Sequence, residues 1–121
     1  MVSMDLSTAV KSYQFGERAK AGLIMASQLS LALASFPPQE KSGGRRMLLM
    51  TMETIRSDLQ FALRSTGQAE FQKATNFLNE AISLLESDQP EQASEKIAFA
   101  ISASTTSAQE AWHVLSEHGL L

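Results

Sequence analysis

The residues best spaced for chemistry in this 121-residue chain are Glu110-Ala-Trp-His113 and, one turn on, Glu117. Side chains at i, i+3 and i+7 share one face of a helix. A Glu-x-x-His pair is the element from which carboxylate-bridged di-metal bundles are built, and such bundles need a second copy and two further Glu. The second His, His118, has Leu115 three positions before it, so that second copy is missing. Glu110, His113 and Glu117 therefore stand only as weak candidates for a single-metal site. A bundle that binds a metal or small ligand, with or without catalysis, is the alternative function. With two His and no Cys, the chain cannot build thiolate zinc, an iron–sulfur cluster or a thiol nucleophile. No Gly-x-Ser-x-Gly turn presents a serine nucleophile. The six Gly are scattered and leave no phosphate-cradling loop. Glu53 and Asp58, five apart, make no acid–base pair. The expectation is no catalytic residue and no cofactor.

The elements that would position these residues are helices. Ala, Leu, Ser, Gln, Glu and Met dominate, while Val occurs three times and Pro three times. Unbranched side chains lose little rotamer freedom in a helix. The punctuation predicts four helices, at about 5–35, 45–65, 68–87 and 90–117. Asp5 or Ser3 caps the first, Gly16 weakens or bends it, and Phe36-Pro37-Pro38 stops it. Gly43-Gly44 is the strongest breaker before the second helix, although Pro38 also suits the first turn of a longer one. Gly67 suits a left-handed C-terminal cap, and Ser65 with Gln68 has capping-box spacing. Asp88 with Glu91 repeats that spacing before the fourth helix, which Gly119 ends. Apolar stripes agree: Leu48, Met52, Ile55, Leu59 and Ala62; Phe71, Ala74, Leu78, Ala81 and Leu85; Ala93, Ile97, Ala100, Ser104, Ala108, Ala111 and Leu115. Short connections make consecutive helices antiparallel neighbours. The reading is an all-α, up-down-up-down four-helix bundle, with residues 1–121 as a single helical-bundle domain.

Two helices carry more apolar residues than one buried face needs. In the first, Leu23, Ala26, Leu29 and Leu33 make a stripe, while Ile24, Met25 and Leu31 lie elsewhere. In the second, Met47, Leu49, Met50 and Phe61 lie off the main stripe. If helices two and three are shorter than one and four, Leu6, Val10 and Tyr13 meet Trp112, Leu115 and Leu120 on an overhang that a second copy could cover. The expected function is therefore a small non-enzymatic interaction or adaptor protein. It self-associates as a homodimer, or docks a partner helix, through Leu6, Val10, Tyr13, Ile24, Leu31, Met47, Met50, Trp112 and Leu115. The small residues of 101–108 predict a tight helix–helix seam, with Ala108 inside it.

Residues 1–67 carry eight basic against five acidic side chains, and 68–121 carry two against eight. Four Arg on a domain of net charge −3 make a poor nucleic-acid footprint, so nucleic acid is not an expected partner. The apolar run 21–34, ending Ala32-Leu33-Ala34, imitates an export signal. Its helical periodicity, Ser27 and Gln28 read instead as a buried helix. It is also shorter than the roughly 20 residues that span a bilayer, so no membrane is expected. The absence of Cys fits the cytoplasm. The stretch 74–100, with Leu84-Leu-Glu-Ser-Asp-Gln-Pro-Glu-Gln-Ala93, resembles the helical hairpins of tetratricopeptide arrays and of small HEPN-type domains. No 34-residue repeat accompanies it. The Arg-then-His arrangement of HEPN nucleases has no counterpart, since the last Arg is Arg64, far from His113.

Overall fold

In the computed structural model, which describes residues 4–120, the chain forms α1 (Leu6–Ala34), α2 (Pro38–Thr66), α3 (Ala69–Glu86) and α4 (Pro90–Glu117). Each helix packs antiparallel on the next, and α4 returns along α1 to close the ring. No strand occurs among the described residues. Leu23, Met52, Leu59, Phe71, Leu78, Leu85 and Ile97 are fully buried and bring all four helices to one core. Burying each such side chain contributes about 1.5–3 kcal/mol before entropy is set against it. The run 21–34 belongs to this core through Leu23, Ala26 and Leu33.

Local chemistry explains most helix ends. The Asp5 carboxylate accepts the Thr8 N–H at 2.7 Å and caps α1. Those hydrogen bonds to Thr8 hold its carboxyl below the ordinary value. Ser3, the other candidate cap, lies outside the described residues. Gly67 adopts φ 66° and returns its N–H to the Leu63 carbonyl at 2.7 Å. Gly119 adopts φ 72°, and beyond it the Leu120 N–H reaches the Leu115 carbonyl.

Two expected caps are replaced. Gln68 is the N-cap of α3 without a side-chain bond; its N–H is held by the Thr66 hydroxyl at 3.2 Å, not by Ser65. Gln89, not Asp88, is the N-cap of α4. Asp88 instead takes the left-handed turn at φ 59°, which short polar side chains tolerate, and its carboxylate lies 3.4 Å from Arg45.

The largest correction is the start of α2. The helix begins at Pro38, not near residue 45, and runs 29 residues, as long as α1. Pro at the first helical position has a preset φ and no N–H to waste. Gly43 and Gly44 therefore sit inside α2. Gly44 gives room to neighbouring side chains: a Cβ there would lie 2.7 Å from Phe36 Cε2 and 2.8 Å from Leu33 Cδ1, so those side-chain ends would have to turn aside. Gly16 likewise stays inside a continuous α1. The extra length of α2 lies at the Pro38 end; at the far end α2 and α3 meet across the two-residue turn between Thr66 and Ala69, and α1 and α4 run on beyond both, as the expected overhang. There α1 and α4 close a small core of Ala9, Ala111 and Leu115, with Met4, Tyr13 and Val114 packed on it.

Candidate interaction surface

The helix α1 presents opposite kinds of surface to its two neighbours. Toward α4 it offers small residues. A Cβ on Gly16 would lie 3.0 Å from Ala108 Cβ and 3.1 Å from the Ser104 carbonyl oxygen, so the two backbones nearly touch. Further along, Ser27 and Ser94 hydroxyls share a hydrogen bond at 2.8 Å, and the Ser30 hydroxyl donates to the Pro90 carbonyl. The tight seam expected around Ala108 is this one, and Ala108 is buried in it. The Ser12, Ser104 and Ser107 hydroxyls are buried with no partner among the described residues.

Toward α2 the same helix offers large residues. Leu29, Leu33 and Phe36 meet Gly44, Met47, Leu48 and Thr51 along an apolar groove. Around it Met25 is 58% exposed, Met47 72% and Met50 62%, and Leu29 and Phe36 are exposed as well. The surrounding sequence holds no charge from residue 21 to 39 on the α1 side or from 47 to 52 on α2. On α2 the exposed Arg46 and Glu53 border the uncharged stretch directly, and further charges lie beyond it. Arg18 lies 3.6 Å from Asp58 at one end, and Glu40 stands in the first turn of α2 at the other.

The nine expected interface residues do not form one surface. Met47 lines the α1–α2 groove just described, and Met50 is exposed on α2 three residues on. Ile24 and Leu31 are exposed on α1 but lie away from the α2 groove, as helical spacing dictates. Leu6 and Val10 are exposed near the start of α1. Tyr13 and Trp112 line a groove between α1 and α4 with Glu17 and Lys20. Leu115 is buried between α1 and α4 and is removed from the interface set, because its own helix closes on α1 there.

Leu29, Phe36 and Phe99 are also exposed, outside the expected set. Leu29 has the spacing of a core residue, Phe36 reads as a helix stop, and Phe99 lies outside every stripe. Phe99 stacks on Phe77 at 5.3 Å beside Lys96 and forms a separate groove with Glu70, Lys73 and Glu80. The uncharged stretches around Leu29 and Phe36 are the signal that could have marked them.

The metal candidates do not converge on a site. Glu110, His113 and Glu117 are all exposed on α4. No group of three His, Asp or Glu that could hold a metal ion occurs among the described residues. The His113 ring rests edge-on against Trp112 at 5.6 Å, and His118 Nδ1 lies 2.9 Å from the Val114 carbonyl. The charge asymmetry acts partly within the bundle: Arg45 reaches Asp88, and Arg56 donates to Asn79 at 3.0 Å, tying α2 to the α3 side. Among the described residues, no helix is long and apolar enough to cross a membrane. No protein-family model, curated protein or solved structure matches the chain, so the geometry of these faces carries the functional reading by itself.

Proposed function

We propose that the protein is a cytoplasmic, non-enzymatic interaction module that docks another helical surface on its α1–α2 face. The observation that carries this reading is the exposed set Met25, Leu29, Phe36, Met47 and Met50, of which Leu29, Phe36 and Met47 line one groove, within stretches free of charge. Its exposed side chains amount to roughly 500 Å², in the upper part of the range for the largest patch on an ordinary monomer. Covering that area gains about 12 kcal/mol in transfer free energy, comparable to the ~4–15 kcal/mol lost as association freedom. Methionine suits the task, because its unbranched, polarizable side chain adapts to a facing surface. The lack of Cys fits a reducing compartment.

The test is hydroxyl-radical footprinting of the protein in fresh extract and after purification and dilution. Labelling of Met25, Met47 and Met50, taken relative to Trp112, should be low in extract and rise at least threefold on dilution. Equal ratios in both states would show a face that nothing covers and would end the proposal.

A further inference from the structure

Resting on the docking reading above, we infer that Met25, Met47 and Met50 are an oxidative-modification site that takes a hydroperoxide as co-substrate, and that their oxidation releases the docked surface. The sulfur inventory points there. The chain has six Met and no Cys. No thiolate therefore competes for a mild two-electron oxidant, and the thioether is the most readily oxidised side-chain group present. Met1 lies outside the described residues. Met4 packs on the small α1–α4 core, and Met52 is fully buried in the main one. The other three are 58%, 72% and 62% exposed. Met47 lines the α1–α2 groove. Met25 stands one helical turn before Leu29 of that groove, and Met50 one turn after Met47. Among the described residues, the exposed methionines thus all lie within a turn of the groove. Met50 and Met52 are two positions apart on one helix, and that spacing sets them on opposite sides of it.

The step balances simply. A sulfur lone pair attacks the terminal oxygen of the hydroperoxide. An S–O bond forms, the O–O bond breaks, and the departing hydroxide takes a proton and leaves as water when the oxidant is hydrogen peroxide. The thioether loses two electrons to become a sulfoxide, and the peroxide oxygen is reduced. A dithiol-dependent sulfoxide reductase reverses the change: the oxygen leaves as water and the dithiol becomes a disulfide.

The consequence follows from polarity. A sulfoxide oxygen accepts hydrogen bonds from water, and covering it with an apolar surface leaves it without them. A face of adaptable thioethers therefore becomes one that resists being covered. The fold is spared, because Met25, Met47 and Met50 take no part in the main core while Met52 is shielded within it.

Titration of the full purified chain with hydrogen peroxide, read by peptide mass spectrometry, tests the site. Met25, Met47 and Met50 should each gain one oxygen about tenfold faster than Met52, with helicity and thermal midpoint kept. Met52 reacting as fast as Met50, or helicity lost as the three react, overturns the site. The release is read on isotope-labelled protein returned to fresh extract after the oxidant is removed. Hydroxyl-radical labelling of Leu29 and Phe36, which peroxide leaves unchanged, is taken relative to Trp112. It should be low for the reduced protein, about threefold higher for the oxidised one, and low again after treatment with sulfoxide reductase and dithiothreitol. The combined variant Met25→Leu, Met47→Leu and Met50→Leu keeps the volume and loses the sulfur, so it should stay shielded after peroxide. Oxidised protein as well shielded as reduced overturns the release while leaving the docking reading in place. A variant that loses its shielding under peroxide overturns the assignment to these three residues. Reduced protein already unshielded ends the docking reading, and the release with it.

Discussion

Two glycines mark the difference between the two sides of α1. Gly16 lets the α4 backbone approach; the atoms that a Cβ would meet are Ala108 Cβ, the Ser104 carbonyl and the Ala108 nitrogen. Gly44 lets α2 pass Phe36 and Leu33, and the atoms it would meet are side-chain carbons. The α1–α4 seam is therefore limited by backbone, and the α1–α2 side by side chains that can rotate. A contact between backbones has one geometry and serves stability. A surface of mobile methionine, leucine and phenylalanine side chains can repack against something else.

The most disruptive change should be Ala108→Leu, which inserts three carbons where two backbones almost touch. It should cost about 3 kcal/mol, read as a fall of about 10 °C in thermal midpoint. An unchanged midpoint would mean that the seam opens readily and that the contrast with the α2 side is false.

A sharper comparison sets Gly16→Ala against Gly44→Ala. Each substitution gains about 1 kcal/mol of helix propensity. At Gly16 the gain should be outweighed, giving a net loss of about 1 kcal/mol, because α4 itself must move. At Gly44 the clash falls on ends that rotate aside, so stability should stay within about 0.5 kcal/mol or rise. Equal effects from the two variants in chemical denaturation would erase the distinction.

The smallest effect belongs to Asp5, at the α1 end of the small core with α4. Its carboxyl is held below the ordinary value by its bonds to Thr8, so its contribution to stability is present above that ordinary value. The contribution is lost as pH falls through the lowered one. Asp5→Asn keeps an acceptor for the cap and should flatten that part of the acid limb of a stability–pH profile. An unaltered limb would show that other carboxylates set it.

The helices themselves were legible to different degrees. The α3 and α4 segments, with polar residues between their stripes, could be traced to within a residue, because local periodicity and a short turn suffice. The start of α2 could not, because Gly-Gly reads as a breaker wherever no neighbour requires it. The Phe36 ring that makes Gly44 useful belongs to another element. Leu29 and Leu115 show the same limit in the candidate surface. Leu29 has core spacing yet faces outward, and Leu115 has core spacing and faces inward. Spacing alone cannot separate them when a helix is apolar on nearly every side.

The sequence by itself determined the number of helices, the Gly67 cap, the core stripes of α2, α3 and α4, and the lack of groups for thiol or multi-histidine chemistry. These follow from short-range preferences and from which residue types exist in the chain. The tertiary structure decided which side of α1 is covered, that α2 reaches back to Pro38, and that Leu29, Phe36 and Met47 line one groove. The physical reason is that α1 is apolar nearly all round. Its own pattern states no preferred side, and the choice is made by where α4 finds residues small enough for backbones to meet.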